Sequence, residues 1–302
     1  MQYIIRGKSF VFTTEIRDNT TLRKSFFSLA RQTFDLDFEP WYQCGGWQDR
    51  YLPHALVCGE QVAANVSVNR MDFQLDGRRR TYLQLGTVMT HPDYRGMGLS
   101  RFLMEWILQN WSDRCDGIYL FANDTVLDFY PKFGFLPAEE AQVFFPSSPQ
   151  QPIPLRRINP DNPKDRALLI QSYRRSNPFS AFSMENNEGL LLFYALGPFR
   201  HFLYTPPEEN AVAILEEDGD TLFCHELLGE WSGRSIPNVK SSDAAPYPQD
   251  RAGLYPEGHA ARTDLAAGRR SFVCARQKRK SLCCAKTVFP FDFPRIKMKR
   301  RL

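Results

Sequence analysis

The sequence predicts an α/β protein, in an α+β layout, whose sheet is mixed, mostly antiparallel and flanked by helices. Strands are predicted between residues 54 and 89, because apolar, β-rich runs alternate there with turn residues at 59–60 and 76–77. Helices are predicted at 22–34 and 99–111, where apolar residues recur at helical spacing. The length of 302 residues suggests two domains, each large enough to bury its own core.

The elements of the first predicted domain, residues 1–145, follow from the same patterns. Asn19-Thr20-Thr21 supplies an N-cap for the first helix. In order, the predicted elements are strands within 1–17, the helix at 22–34, an aromatic loop at 35–53, strands at 54–58, 61–68, 71–75 and 80–89, the helix at 99–111, a strand at 117–122, a helix at 126–133 and a strand at 135–145. Consecutive strands in the middle of this order favour an antiparallel meander.

A second domain is predicted at residues 155–231, after a Pro- and Ser-rich linker at 146–154. It contains a predicted helix at 163–174 and a hairpin whose arms flank the acidic turn at 216–220. This hairpin echoes the one at 54–68, which hints at an internal repeat.

Composition and charge narrow the class of protein. Hydrophobic residues make up 43% and charged residues 24%, which excludes a fully disordered, collagen-like or coiled-coil chain. Residues 232–302 are predicted to be irregular and to end in a basic tail, since residues 269–302 contain 12 Lys and Arg and one acidic residue. Three interpretations stay open for the tail: disordered chain, an arm for nucleic acid or a membrane surface, or a non-native end such as a frame-shifted reading.

The cysteines indicate a reducing setting. Seven cysteines, odd in number and without a CxxC pair, predict neither a disulfide scaffold nor a structural zinc site. The start of the chain lacks a signal-peptide core, and the longest apolar run, Leu190–Leu196, is far short of a membrane span. We expect a cytoplasmic protein without a membrane partner.

The most informative stretch is Leu85–Arg101 (LGTVMTHPDYRGMGLSR), which contains a Gly-rich turn at its C-terminal end. An apolar strand runs through it directly into an amphipathic helix. Gly96 and Gly98 have no side chain to block a ligand or to forbid a positive φ. The amides of the turn lie at a helix start without intrahelical partners, so with the helix dipole they suit a pyrophosphate. Arg95 and Arg101 add positive charge nearby. A plain tight turn is the alternative.

A second stretch, residues 118–135 (IYLFANDTVLDFYPKFGF), supports the first. A predicted strand ends at Asn123, a helix carries Tyr130, and Gly134-Phe135 turns the chain back.

Together the two stretches resemble the GNAT N-acetyltransferase superfamily over about residues 20–145. Arg95, Gly98 and Ser100 match its acetyl-CoA signature, Gln/Arg-x-x-Gly-x-Gly/Ala, except that Ser100 replaces Gly or Ala. Asn123, Tyr130 and Gly134-Phe135 match its downstream signature, although Val126 stands where Ala is common. The layout is similar to that of the tandem-domain acetyltransferases of the enhanced-intracellular-survival type. This implies a GNAT fold followed by a degenerate GNAT-like domain that has lost its phosphate turn.

The resemblance also implies site residues. The strand at Val88–Thr90 would splay from its neighbour and pair its backbone with the pantetheine arm, and the amides of 96–101 would hold the pyrophosphate. The implied acetyl-CoA-binding residues are Val88, Met89, Thr90, Arg95, Gly96, Met97, Gly98, Leu99, Ser100, Arg101 and Asn123; the implied catalytic residue is Tyr130, as general acid; no metal is implied.

Each of these roles has a structural alternative. Tyr130 could be a core aromatic residue among neighbouring phenylalanines. Asn123 could be the N-cap of a helix at 124–133, and Arg95 could be a solvated surface residue.

The function implied is direct transfer of an acetyl group from acetyl-CoA to a primary amine of a small molecule or peptide. No covalent enzyme intermediate is needed. The alternative is a non-catalytic acyl-CoA-binding sensor or scaffold. No nucleic-acid partner is expected, because the tail shows no recognition pattern in which aromatic and basic residues interleave, and a homo-oligomer is left open.

The general base is not identified by the sequence. Glu39, Asp49 and His54 lie in or beside the aromatic loop at 38–51, but each also fits a surface or capping role, and a chain of waters could remove the amine proton instead. The loop favours an acceptor with an apolar or cationic part, through cation–π contact.

Overall fold

The computed structural model describes residues 1–75, 77–139, 154–175, 182–207, 211–218, 221–231 and 271–275. These residues divide between two compact units. The first contains the described parts of 1–141, 181–193 and 270–288, and the second contains the remainder. The predicted linker lies outside the described residues apart from Pro154, and the predicted domain boundaries stay a prediction.

The elements follow in chain order. The strands are β1 (Gln2–Ile5), β2 (Lys8–Thr13), β3 (Tyr51–Cys58), β4 (Gln61–Leu75), β5 (Arg78–Thr90), β6 (Gly117–Phe121), β7 (Phe135–Glu139), β8 (Arg156–Arg157), β9 (Phe182–Glu185), β10 (Leu203–Thr205), β11 (Ala211–Asp218), β12 (Thr221–Gly229) and β13 (Ser271–Ala275). The helices are α1 (Thr20–Phe34), α2 (Glu39–Gln43), α3 (Leu99–Trp111), α4 (Pro163–Arg174) and α5 (Glu188–Leu196), with 3₁₀ turns at Pro92–Tyr94, Ser112–Arg114, Asp124–Val126 and Tyr130–Phe133.

The sheet of the first unit runs in the order β1-β2-β3-β4-β5-β6-β13-β7, and β9 also pairs with β4. In the described part of the chain β5 and β6 run parallel, whereas every other pair in this sheet is antiparallel. The predicted fold class, a mixed and mostly antiparallel sheet flanked by helices, is therefore confirmed.

One face of this sheet packs on α3. Leu99, Leu103 and Ile107 are buried against Val66 and Val68 of β4, as the helical spacing predicts. We call this cluster the α3 core; its buried members are Phe10, Leu56, Ala63, Ala64, Val66, Val68, Leu83, Leu85, Tyr94, Leu99, Leu103, Met104, Ile107, Ile118, Leu120, Tyr130 and Phe135. Since side chains alternate along a strand, the residues between these valines project to the opposite face.

An aromatic cluster covers that opposite face together with α1. It consists of Phe26, Phe27, Phe38, Trp41, Tyr42, Trp47, Tyr51 and Phe193. The two tryptophan rings are stacked, with centroids 5.6 Å apart. The Trp41 indole also donates to the carbonyl oxygen of Gly189 at 2.6 Å. Residues 182–193 are therefore part of the wall of the first unit.

The second unit has a four-stranded antiparallel sheet in the order β12-β11-β10-β8. The predicted hairpin is present as β11 and β12, and the predicted helix is present as α4. Leu169, Phe199 and Leu203 are buried among its core residues. That this unit descends from a second acetyltransferase domain stays a prediction.

The structure differs from the sequence prediction in three elements. The helix predicted at 126–133 is wrong: two 3₁₀ turns stand there instead, because Pro131 disfavours the helical conformation for Tyr130 and supplies no N–H. The strands predicted at 61–68 and 71–75 are one continuous strand, β4. A strand not predicted, β13, lies between β6 and β7; it is a short apolar run within the segment interpreted as irregular.

Candidate functional site

The Gly-rich turn joins the end of β5 to the start of α3. Gly96 has a φ of +77° and Gly98 a φ of +85°, in the left-handed region that favours glycine. Gly98 is the N-cap of α3 and contributes no side-chain capping bond. A Cβ atom added to either glycine would meet no atom within 4 Å. The turn is therefore open to a ligand, and glycine is needed for its backbone rather than for packing.

The amides of this turn are the candidate anion donors. Those of Gly96, Gly98, Leu99, Ser100 and Arg101 have no acceptor among the residues that the structure describes. The Met97 amide was predicted to be free for the pyrophosphate, but it donates to the Tyr94 carbonyl oxygen at 3.4 Å. The remaining free donors lie in the first turn of α3 or just before it, where the helix dipole favours an anion.

Charged and polar side chains flank the turn. Arg95 and Arg101 are both exposed, and both guanidinium groups lie near the free amides in sequence. Arg95 Nε donates to the Thr90 carbonyl oxygen at 3.4 Å, and Arg101 lies 4.0 Å from Glu105. The hydroxyls of Thr90 and Ser100 are 2.6 Å apart. Both guanidinium groups are therefore accessible to solvent beside the turn.

The strands β5 and β6 separate beside the turn. Their parallel pairing runs from Tyr82↔Gly117 to Leu85↔Leu120 and goes no further in the described residues, although β5 continues to Thr90. Met89 is buried, whereas Val88 and Thr90 are half-buried. The backbone of Val88–Thr90 thus presents an edge without a strand partner on that side, which is the arrangement predicted for it.

Tyr130 lies inside the α3 core. It is 5% exposed and packs on Phe129 and Phe135, with ring centroids 5.3 and 6.1 Å away. Burial raises the pKa of its phenol to about 12. The hydroxyl therefore keeps its proton at neutral pH. Tyr130 shares this core with Leu85 of β5 and Leu99 of α3, the elements on either side of the Gly-rich turn.

Asn123 is exposed and follows β6 directly. It occupies the N-cap position of the 3₁₀ turn at Asp124–Val126, but its side chain makes no capping hydrogen bond there. The alternative of a helix cap is therefore wrong, because the helix itself is absent.

None of the three candidate bases approaches Tyr130 through a contact in the described residues. His54 is buried on the α3 side, where its Nδ1 contacts the Leu52 carbonyl oxygen at 3.0 Å and its Nε2 accepts from the Trp111 indole at 3.3 Å. Glu39 accepts from Gln43, and Asp49 pairs with Arg17 at the surface. Both ring nitrogens of His54 are thus engaged.

The aromatic residues of the predicted loop pack against one another and are buried. Phe38, Trp41 and Trp47 are 2–4% exposed; the two tryptophan rings stack, and Phe38 packs on Trp41 at a tilt. They form a packed cluster that caps the core on this face of the sheet.

Sequence reasoning missed a polar network under this cluster. Tyr51, Asn65, Ser67 and Thr87 contact one another on the face of the sheet that α1 covers. The signal that could have found it is the alternation of Asn65, Ser67 and Asn69 with apolar residues in the run from Val62 to Asn69. The network adjoins the point where β5 leaves β6.

The described residues contain neither a metal-ion cluster nor a membrane-spanning helix. No group of three or more His, Cys, Asp or Glu side chains is arranged to hold a metal ion there. No helix in the same residues combines the length and apolar character needed to cross a bilayer.

Comparisons with known proteins place the region of the site in a family. Residues 23–138 match the family model of the acetyltransferase (GNAT) domain. No curated protein matches the chain.

Solved structures give three likenesses in fold. A probable N-acyltransferase from Enterococcus faecalis V583 is 16% identical, with a TM-score of 0.49, over 73% of this chain and 58% of that chain. A GCN5-related N-acetyltransferase from Kribbella flavida is 18% identical, with a TM-score of 0.46, over 74% and 57%. An acetyltransferase from Clostridium acetobutylicum, solved with acetyl-CoA, is 17% identical, with a TM-score of 0.37, over 45% and 96%. The chain thus spans less than two thirds of the first two proteins.

Proposed function

We propose that this chain, which belongs to the GNAT family of acyltransferases through its domain at residues 23–138, transfers the acetyl group of acetyl-CoA directly to a primary amine. The acceptor is a small molecule or a peptide. Tyr130 is the proposed general acid, and the turn at 95–101 the proposed pyrophosphate site.

The open amides of the Gly-rich turn are the observation that carries this proposal. Five N–H groups from Gly96 to Arg101 have no acceptor in the described residues, and the space above both glycines is empty of protein atoms within 4 Å of an added Cβ. A diphosphate needs such converging donors, positive charge and close backbone approach. The residues present therefore fit the diphosphate of acetyl-CoA.

The free edge of β5 supports the same ligand. The pantetheine part of acetyl-CoA contains amides, which can pair with strand backbone as an added strand does. The edge at Val88–Thr90 leads directly into the Gly-rich turn, so one ligand could contact both. When bound, acetyl-CoA supplies the thioester whose acyl group is transferred.

The proposed reaction requires one proton donor from the protein. An uncharged amine attacks the thioester carbonyl, so a C–N bond forms while the C–S bond breaks. Tyr130 would donate its phenolic proton to the departing sulfur, and the proton that the attacking nitrogen loses would return through water to the tyrosinate. The α3 core packs around the Tyr130 ring and holds it in place.

A thiol-release assay tests the proposal. The full chain is mixed with acetyl-CoA and a panel of primary amines, both small molecules and peptides, and free thiol is followed with a disulfide reagent. We expect at least one amine to accelerate release and a matching acetylated product by mass spectrometry. Binding of acetyl-CoA by calorimetry, without acceleration by any amine, would instead favour the sensor or scaffold.

A further inference from the structure

Thr87 has a backbone conformation that its residue type rarely adopts. Its φ of +44° lies in the left-handed region, which is costly for a β-branched residue. The register places Thr87 and Val88 opposite the single residue Val66, so Thr87 is the first residue of a β-bulge in β5. A left-handed first residue of a bulge is normally glycine. Something other than the local sequence must therefore stabilise this conformation.

Three polar side chains hold Thr87 from the side of the aromatic cluster. The Tyr51 hydroxyl lies 2.6 Å from Thr87 Oγ1, which itself donates to Ser67 Oγ at 2.7 Å. Tyr51 is thus the donor in the first contact. Asn65 Nδ2 donates to the Thr87 carbonyl oxygen at 3.0 Å and to Ser67 Oγ at 2.9 Å. Both the hydroxyl and the carbonyl of Thr87 are therefore anchored.

The anchoring side chains are buried at a cost that only these contacts offset. Asn65 and Ser67 are 0% exposed, and buried polar groups are unfavourable unless they are hydrogen-bonded. Exchanging the amide atoms of Asn65 would set an oxygen against the Thr87 carbonyl oxygen, so the nitrogen must face Thr87. Asn65 Oδ1 is then left without a partner in the described residues. The contact with Thr87 thus decides how Asn65 is oriented.

The bulge begins where β5 and β6 separate. The last parallel pair is Leu85↔Leu120, and Thr87 follows two residues later. A bulge bends its strand and increases the local twist. The bend therefore turns Val88–Thr90 away from β6 and keeps the free edge of β5 open.

We propose that Tyr51, Ser67 and Asn65 are positioning residues that hold Thr87 in its left-handed conformation and thereby set the gap between β5 and β6 for the acyl arm of acetyl-CoA. This rests on the proposed function. The three residues touch no reacting atom; they act through the backbone of β5.

Two substitutions of Thr87 distinguish this role from a role of the Thr87 hydroxyl in packing or in chemistry. Thr87→Gly removes the hydroxyl but favours a positive φ. Thr87→Val also removes the hydroxyl, but it keeps the branched shape of the side chain and disfavours a positive φ. If the network serves the backbone conformation, we expect kcat to be higher in Thr87→Gly than in Thr87→Val by about tenfold or more. If the hydroxyl were needed for packing or for chemistry, the order would be equal or reversed, and the proposal would be overturned.

A double-mutant cycle provides the second test. Tyr51→Phe removes the donor to Thr87 and keeps the ring in the aromatic cluster. We expect Tyr51→Phe to lower kcat by about tenfold in the native background and by about threefold or less in the Thr87→Gly background, because a glycine needs no anchor. Equal losses in both backgrounds would contradict the proposal. Melting temperatures of all four proteins show whether a loss reflects unfolding.

Hydrogen exchange in the absence of any ligand tests the conformation of Thr87 independently of the proposed function. We expect Thr87→Val to change the exchange of amides 85–90, and Thr87→Gly to leave them closer to the native rates. A native protein that binds no acetyl-CoA would overturn the proposed function, while the exchange data would still decide whether Thr87 is held. Indistinguishable exchange in both variants would overturn the inference itself.

Discussion

The hydroxyls of Thr90 and Ser100 lie 2.6 Å apart and join the last residue of β5 to the first turn of α3. The bond spans the Gly-rich turn and closes it into a loop of fixed width. Ser100 is the residue that departs from the acetyl-CoA signature, in which Gly or Ala stands at this position. The departure thus adds a hydrogen bond that neither of those residues could make.

Replacing Ser100 measures that bond. We expect Ser100→Ala to lower the free energy of unfolding by about 1 kcal/mol, the usual net contribution of one hydrogen bond. Ser28→Ala, at an exposed position of α1, is the matched control for the intrinsic preference of alanine for helix. Equal effects of the two substitutions in urea unfolding would show that the bond contributes nothing.

Gly98→Glu should abolish binding of acetyl-CoA. Its side chain would bring bulk and negative charge into the space above the free amides, and its left-handed φ would be strained. Gly59→Glu is the control, because Gly59 also has a positive φ and no atom within 4 Å of an added Cβ, but lies in the turn between β3 and β4. Calorimetry should detect binding by the control and none by Gly98→Glu; unchanged affinity in a folded Gly98→Glu protein would exclude the anion site.

Tyr130→Phe should slow turnover while acetyl-CoA still binds. Loss of a general acid typically reduces kcat by about 10²–10⁴-fold. Tyr173→Phe removes a phenol of similar burial in the second unit, 6% exposed against 5%, and controls for the loss of a buried hydroxyl. Initial rates at saturating amine give the comparison. Full-speed turnover of Tyr130→Phe would assign the proton donor to water or to another residue.

His54 should make the protein less stable in mild acid. Burial lowers its pKa to about 4, although the contact with the Leu52 carbonyl oxygen opposes this. Below the unfolded pKa of about 6.5, the unfolded chain binds a proton that the folded protein excludes. Stability is therefore present above pH 6.5 and falls, by up to about 3 kcal/mol, as the pH drops to 4. Urea unfolding of His54→Gln should show a flatter dependence over this interval, and a slope equal to that of the native protein would contradict the expectation.

Asp72 should control stability at lower pH. Its side chain is fully buried, which raises its pKa, but hydrogen bonds from Arg50, Arg79 and Thr81 outweigh burial and lower the pKa to about 2. The carboxylate thus contributes about 2 kcal/mol above pH 4, and this is lost as the pH falls toward 2. Asp72→Asn should remove that pH dependence and destabilise the protein at pH 7. The exposed Asp113→Asn is the control, and equal unfolding midpoints would contradict the expectation.

The sequence predicted the features that depend on local chemistry. The left-handed glycines, the N-cap at Asn19 and the buried face of α3 were all predicted, because each depends on residues close in sequence. The free edge of Val88–Thr90 was also predicted, though from the family resemblance rather than from the residues alone.

The missed features depend on contacts between distant residues. No local pattern announces that β9 pairs with the far end of β4, or that β13 enters between β6 and β7. Thr87 is missed for a different reason: a β-branched residue signals extended strand, and its left-handed conformation is imposed by Tyr51 and Asn65 from two other strands.

The contact of the Trp41 indole with Gly189 has a practical consequence for dissecting the chain. A Cβ atom at position 189 would lie 2.4 Å from the Gly46 carbonyl oxygen, so this segment fits closely against the aromatic cluster. A fragment that stops at residue 145 would expose the Trp41 ring to solvent and leave residues 72–75 of β4 as a bare edge prone to self-association. Shortened chains intended for crystallisation or assay should therefore retain residues 182–193, which belong to the first unit, even when the second unit is removed.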